Sequence, residues 1–151
     1  MDETYIKVKG QWTYYYHAVD KQGHTIDFLL TATRDRQAAR RFFKKAIKQN
    51  AKPSLVNIDQ SRANTAGLKL VNYEEKVRIK IRQCKYLNNI IEQDHRRIKR
   101  VTRLMLGFKN FYAAQYTLAG IEVMAMIKKG QMKIKVRHEP SFAEQFSLLA
   151  A

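Results

Sequence analysis

The chain has 151 residues and 17.7 kDa, the size of one domain, with a globular balance of 45% hydrophobic and 28% charged residues that argues against disorder. No apolar run approaches the ~20 residues of a membrane span, and Met1-Asp2-Glu3-Thr4 lacks the basic and apolar regions of a signal peptide. The net charge of +16, with a pI near 10.1, favours a polyanionic partner over a merely basic surface, and its scatter along the chain counts against a membrane-surface helix.

The first thirty residues read as an antiparallel meander of three strands. Thr4, Ile6 and Val8 alternate with Tyr5, Lys7 and Lys9. Lys9-Gly10 is a turn, and Trp12 to Val19 is aromatic and strand-favouring. Asp20-Lys21-Gln22-Gly23 is a second turn, and Thr25 to Leu30 a third strand. The period then changes. Ala39, Phe42, Phe43, Ala46 and Ile47 fall at helical spacing between Asp35, the expected N-cap, and Lys48. Leu55 to Ile58 reads as a buried strand, Thr65 to Val71 as a brief helix, and Val77 to Ile81 as an edge strand.

Two longer helices are predicted over 89–103 and 110–129, the second with Phe111, Ala114, Leu118, Ile121 and Ala125 on one stripe and a stop at Lys128-Lys129-Gly130. The tail, 131–151, has no clear assignment. The order β-β-β-α-β-α-β-α-α implies a mixed sheet with helices packed on it.

Three carboxylates have the character of metal ligands. Asp2 opens the first strand. Asp59 follows the C-terminal end of a buried strand, the edge at which open α/β sheets bind ligands. Glu92 falls in the first turn of the helix that starts near Asn89. Together they would suit hard divalent cations, two of which can activate an attacking oxygen and stabilise a leaving one. Each also has a plainer role: Asp2 as a frayed terminal residue, Asp59 as a loop aspartate, and Glu92 as the third position of a capping box with Asn89.

Arg96, Lys99 and Arg103 follow Glu92 at i+4, i+7 and i+11, so one helix face carries a carboxylate and then three cations, either for a DNA backbone or as a solvated face. His95 reads as a surface histidine, and His17, His24, His95 and His138 have no ligand spacing with Cys84. That lone cysteine excludes an internal disulfide and points to a reducing cytosol. Tyr14, Tyr15 and Tyr16 could stack on bases, but neighbours in a strand point to opposite faces, so half of them belong to the core. Tyr112 and Tyr116 read as packing residues.

Longer strings carry a family resemblance. Asp2-Glu3-Thr4-Tyr5-Ile6-Lys7-Val8-Lys9-Gly10 resembles the first acidic motif of bacterial insertion-sequence transposases of family six, as do Ala18-Val19-Asp20 and Asp27-Phe28-Leu29-Leu30. Asn57-Ile58-Asp59 with Ala63-Asn64 resembles the second motif. The run from Lys85 through Asn89 and Glu92 to Arg100 resembles the third, continued by Met105-Leu106-Gly107-Phe108-Lys109 and Leu118-Ala119-Gly120-Ile121-Glu122.

The resemblance implies a ribonuclease H-like α/β domain over 1–130: a mixed five-stranded sheet with helices on both faces, plus a C-terminal helix, and the tail 131–151 beyond it. It implies Mg²⁺-dependent DNA cleavage and strand transfer, with Mn²⁺ as a substitute ion and Asp2, Asp59 and Glu92 as both catalytic and metal-binding residues. Lys99 matches a basic position used near the element end, with Arg96 and Arg103 beside it as DNA contacts. The implied partners are double-stranded DNA, at element ends and target, and further copies of the chain, in the bacterial cytoplasm at the nucleoid.

There are departures. The sequence opens at the first acidic motif, so the family's N-terminal helix-turn-helix region is expected to be missing, and the Asp59-to-Glu92 spacing is slightly short. Val101, Leu104, Arg62 and Ala125 stand where an Arg, a Pro, a Gly and a His are expected. The alternatives are a truncated, inactive remnant that only binds DNA or itself, and an unrelated basic RNA-binding protein.

Overall fold

The computed structural model describes residues 1–84, 89–132 and 140–150. Lys85, Tyr86, Leu87 and Asn88 of the third motif, and His138 of the tail, lie outside the described residues. Strands β1 (Asp2–Val8), β2 (Gln11–Val19) and β3 (Thr25–Thr31) form the antiparallel meander, in the order β1-β2-β3. The first hairpin closes through Lys9 and Gly10, both at positive φ (49° and 77°), the backbone twist that suits a two-residue turn. β1 pairs with β2 so that Asp2 faces His17, Glu3 faces Tyr16 and Tyr5 faces Tyr14.

Alternation along these strands sends two sets of side chains to opposite faces. Tyr16 packs on one face against α1 (Arg36–Gln49) and α2 (Arg62–Glu74) in a core that includes Phe42, Phe43, Ile58 and Leu68. Ile6, Val8, Tyr15 and Leu30 pack on the other against Ile98 of α3 (Asn89–Leu104) and Ala114 and Leu118 of α4 (Phe111–Lys128). The meander is thus sandwiched between two helical layers. Asp35 caps α1 by accepting from the Ala38 amide (2.7 Å), as expected, and Asn110 caps α4 by accepting from Ala113 (2.7 Å). α1 and α2 approach closely at Gly67, where a Cβ would lie 2.6 Å from that of Ala39.

Three differences from the sequence reading concern element bounds. The brief helix is a full one, because Ser61 caps it and it starts at Arg62. The fifth strand, β5, is Lys80–Gln83, running parallel to β4 (Leu55–Ile58), while Ile79 before it is held by Asn72 through both its amide and its carbonyl. The tail carries a helix, α5 (Phe142–Ala150). The strands pair as a sheet of three and a sheet of two. The Met1 nitrogen donates to the Asn57 carbonyl (2.9 Å), which brings the start of β1 beside the end of β4. Among the described residues no helix is long and apolar enough to cross a membrane.

Candidate active site

Asp2 and Asp59 meet where β1 begins and β4 ends. Each offers one carboxylate oxygen, and Glu3 a third, all within 4.8 Å of one another. Period two alone would turn Glu3 away from Asp2, but at a strand end both reach the same point. Asp59 Oδ1 accepts from the Ser61 amide (3.1 Å) and from Asn64 Nδ2 (3.3 Å), and the same Nδ2 donates to Glu3 Oε2 (2.6 Å). Arg34, from the loop after β3, pairs with Glu3 and lies 3.6 Å from Asp59 Oδ2. Glu3 and Arg34 escaped the sequence reading. Glu3 sits inside the first motif, whereas nothing around Arg34 marks it.

The electrostatics of this cluster are those of carboxylates crowded together. Burial pushes the Asp2 pKa up, and the charge of Asp59 adds to it. Burial also raises that of Glu3, with Asp59 and Asp2 adding, against the opposing pull of Asn64 and Arg34. The ionised forms are therefore held at a cost that a cation would remove.

A polar atom beside the cluster points the same way. The buried Asn64 Oδ1, on the side chain whose Nδ2 binds Glu3 and Asp59, has no hydrogen-bond partner among the described residues. Clustered carboxylate oxygens are the donor set of a hard divalent ion that keeps part of its hydration shell, so these residues fit such a group.

Glu92 lies exposed in the first turn of α3 and is not among the three clustered carboxylates. Arg96, Lys99 and Arg103 are exposed on the same helix. Tyr15 and Tyr16 are both fully buried, one on each face of the meander, because helices cover both faces, so more than half of the tyrosine run belongs to the core; Tyr112 and Tyr116 are 70% and 75% exposed, contrary to the packing role expected of them.

His95 is also corrected, from surface to interior. Its ring lies 6.1 Å from that of His17, beside a polar network buried between β2, α3 and α4. The centre of the network is Glu122, fully buried, whose carboxylate accepts from Tyr15 (3.0 Å) and Thr25 (3.2 Å) and lies 3.4 Å from His17 Nε2 and 3.9 Å from Arg97. Burial alone would raise the pKa of Glu122, but the hydrogen bonds from His17 and Tyr15 and the nearby charges outweigh it and hold it low. Asp94, in turn, binds Arg97 (3.0 Å) and Lys129 (2.7 Å).

Burial, then the neighbouring His17 and Lys99, push the His95 pKa down to about 3. An unfolded imidazole titrates near 6.5. Between those values the unfolded chain binds a proton that the folded chain refuses, so this contribution to stability is lost as pH falls from about 6.5 towards 3. We expect a loss of up to ~1.4 kcal/mol per pH unit across that window. Urea unfolding at a series of pH values should show it, and His95→Gln should flatten the slope. An unchanged slope in the variant refutes the assignment.

A family model described as a DDE domain matches residues 1–131. The chain is 42% identical over 139 residues to a Staphylococcus aureus protein named "Transposase for insertion sequence-like element IS431mec", covering 90% of this chain and 60% of the relative. The same figures hold for the S. aureus "Transposase for insertion sequence element IS257 in transposon Tn4003". A Yersinia pseudotuberculosis protein, "Uncharacterized protein pYV0051", is 36% identical over 63 residues, covering 40% of this chain and 59% of the relative. The chain thus spans about 60% of the length of the transposases it matches.

Proposed function

The chain belongs to the DDE transposases of bacterial insertion-sequence family six, of which it carries the catalytic domain, and we propose that it cleaves and transfers DNA strands with the help of divalent cations. The observation that carries this reading is the meeting of Asp2 and Asp59, brought from two strands far apart in sequence. We take residues 1–130 as that domain and its strands as one five-stranded ribonuclease H-like sheet. The Met1–Asn57 hydrogen bond supports this by setting β1 beside β4.

Asp2, Asp59 and Glu92 are the proposed ligands of Mg²⁺, with Mn²⁺ as substitute. Support for Glu92 comes from the packing of its helix. His95 lies one turn further along α3, with its ring 6.1 Å from that of His17, and His17 is the register partner of Asp2. When bound, such ions supply activation of an attacking water or 3′-hydroxyl and stabilisation of the leaving oxygen.

The chain's own residues hold the parts in place. Asn64 ties Glu3 to Asp59. Arg34 pairs with Glu3, opposes the burial that raises its pKa, and offsets the charge that Glu3 and Asp59 bring together. Arg96, Lys99 and Arg103 take phosphates of double-stranded DNA along the exposed face of α3. The working form we propose is a homo-oligomer on element end and target, in the cytoplasm.

A second reading, a remnant that binds DNA without cutting it, is favoured by the position of Glu92 outside the carboxylate cluster. Labelled branched DNA in Mn²⁺ separates the two. The chain should cleave or join it, and Glu92→Gln should not. DNA bound at low salt but cut by neither protein would establish the remnant.

A further inference from the structure

One face of β1 runs outward from the carboxylate cluster. Glu3, Tyr5 and Lys7 share it, two residues and therefore about 7 Å apart at each step. Glu3 belongs to the cluster. Beyond it Tyr5 is 46% exposed, and Trp12, opposite Lys7 on β2, is 60% exposed. The Tyr5 ring meets Tyr14 edge-on at 5.4 Å and Trp12 at 6.4 Å, and Lys7 Nζ stands 5.8 Å from the Trp12 ring centre. The Arg34 guanidinium, already paired with Glu3, lies within electrostatic reach of Tyr5.

Sheet stability accounts for only part of this. A directly opposed aromatic pair such as Tyr5–Tyr14 supports a hairpin. It does not require an indole left mostly in water at the end of the row, nor a cation held over it. Exposed aromatic faces among lysines and arginines are how proteins hold single-stranded nucleic acid: cations track the phosphates while bases stack on the rings. Bases inside a duplex are already stacked and cannot reach such rings, so the fitting occupant is an unpaired stretch.

We propose that Tyr5 and Trp12, with Lys7, form a stacking site for unpaired DNA bases beside the carboxylate cluster, with the half-buried Tyr14 supporting Tyr5 from the core side. It rests on the strand-transfer reading above and extends it. Where a strand is opened next to the phosphate under attack, the stacking site takes the splayed bases about 7–14 Å from Glu3 along the sheet. The charge complements this occupant: the chain carries +16 overall, with Lys7 over the Trp12 ring and Arg34 near Tyr5.

Trp12 is the chain's sole tryptophan, so its fluorescence reports the site directly. The full chain, in EDTA and at low salt, is titrated with a short oligothymidylate, with an abasic strand of the same length, and with a duplex. Oligothymidylate should quench Trp12 and bind more tightly than the abasic strand. Tyr5→Thr, which keeps a strand-favouring residue, should weaken that binding about tenfold, and Tyr5→Phe should restore it. Equal quenching by the abasic strand overturns the proposal, because the contact is then to phosphate alone. So does unchanged binding by Tyr5→Thr, or the absence of any response, which would leave the aromatic face to a protein partner. Because EDTA removes divalent ions, the result does not depend on catalysis: Asp59→Asn should still show the quench even if the carboxylates prove not to be the catalytic set.

Discussion

Asp59→Asn should abolish divalent-dependent strand cleavage, a loss of about a thousandfold or more, since metal stabilisation of transition-state charge is worth several kcal/mol. The amide has the shape of the carboxylate. Its oxygen can still accept from the Ser61 amide, so the turn into α2 should survive. What disappears is one anionic oxygen from the trio within 4.8 Å, and with it the repulsion that adds to burial in raising the pKa values of Asp2 and Glu3. The variant in EDTA should therefore be as stable as the parent or slightly more so, while the stabilisation that Mg²⁺ confers on the parent should be lost. Melting curves with and without Mg²⁺, run beside the cleavage assay, check both halves. Full activity in the variant would remove Asp59 from the ligand set. Activity lost together with stability in EDTA would make its role structural.

Glu122→Ala should cost about 3–5 kcal/mol, a large share of the ~5–15 kcal/mol typical of a domain. The side chain is fully buried, and its removal leaves the hydroxyls of Tyr15 and Thr25 without the acceptor they use and Arg97 without one of its two carboxylates. Glu122→Gln keeps the shape and an acceptor and should cost less, about 1–3 kcal/mol. Urea unfolding of the three proteins gives the comparison. Equal midpoints for parent and Glu122→Ala would show the network to be dispensable. The network ties α3 to α4 and β2, and α3 carries Glu92, so loosening it should also lower strand cleavage at temperatures where the variant remains folded.

Most of the secondary structure was legible because it is local. Thr4, Ile6 and Val8 announced a strand by their period, and Phe42, Phe43 and Ala46 a helix by theirs. Asp35 was identified as a cap because capping needs only its own side chain and an amide three residues on. β5 was displaced because its apolar run begins at Val77, while pairing with β4 starts at Lys80. The burial of His95 and Glu122 is not legible in the sequence, for one reason. A polar residue reads as exposed until its partners are known, and theirs come from β2, β3 and each other's helices.

By itself the sequence determined the order of elements through α4, the alternation that sends side chains to the two faces of the meander and the excess of positive charge, and its motifs led us to propose three acidic positions. Those follow from periodicity and residue chemistry, which act over a few neighbours. Only the tertiary structure decided that Asp2 and Asp59 meet, that Glu3, Arg34 and Asn64 join them, and that Glu92 stands apart from that cluster. Convergence of that kind depends on how β1 lies against β4 and how α3 packs on the sheet, and no local pattern encodes the distance between two chain segments that touch only after folding.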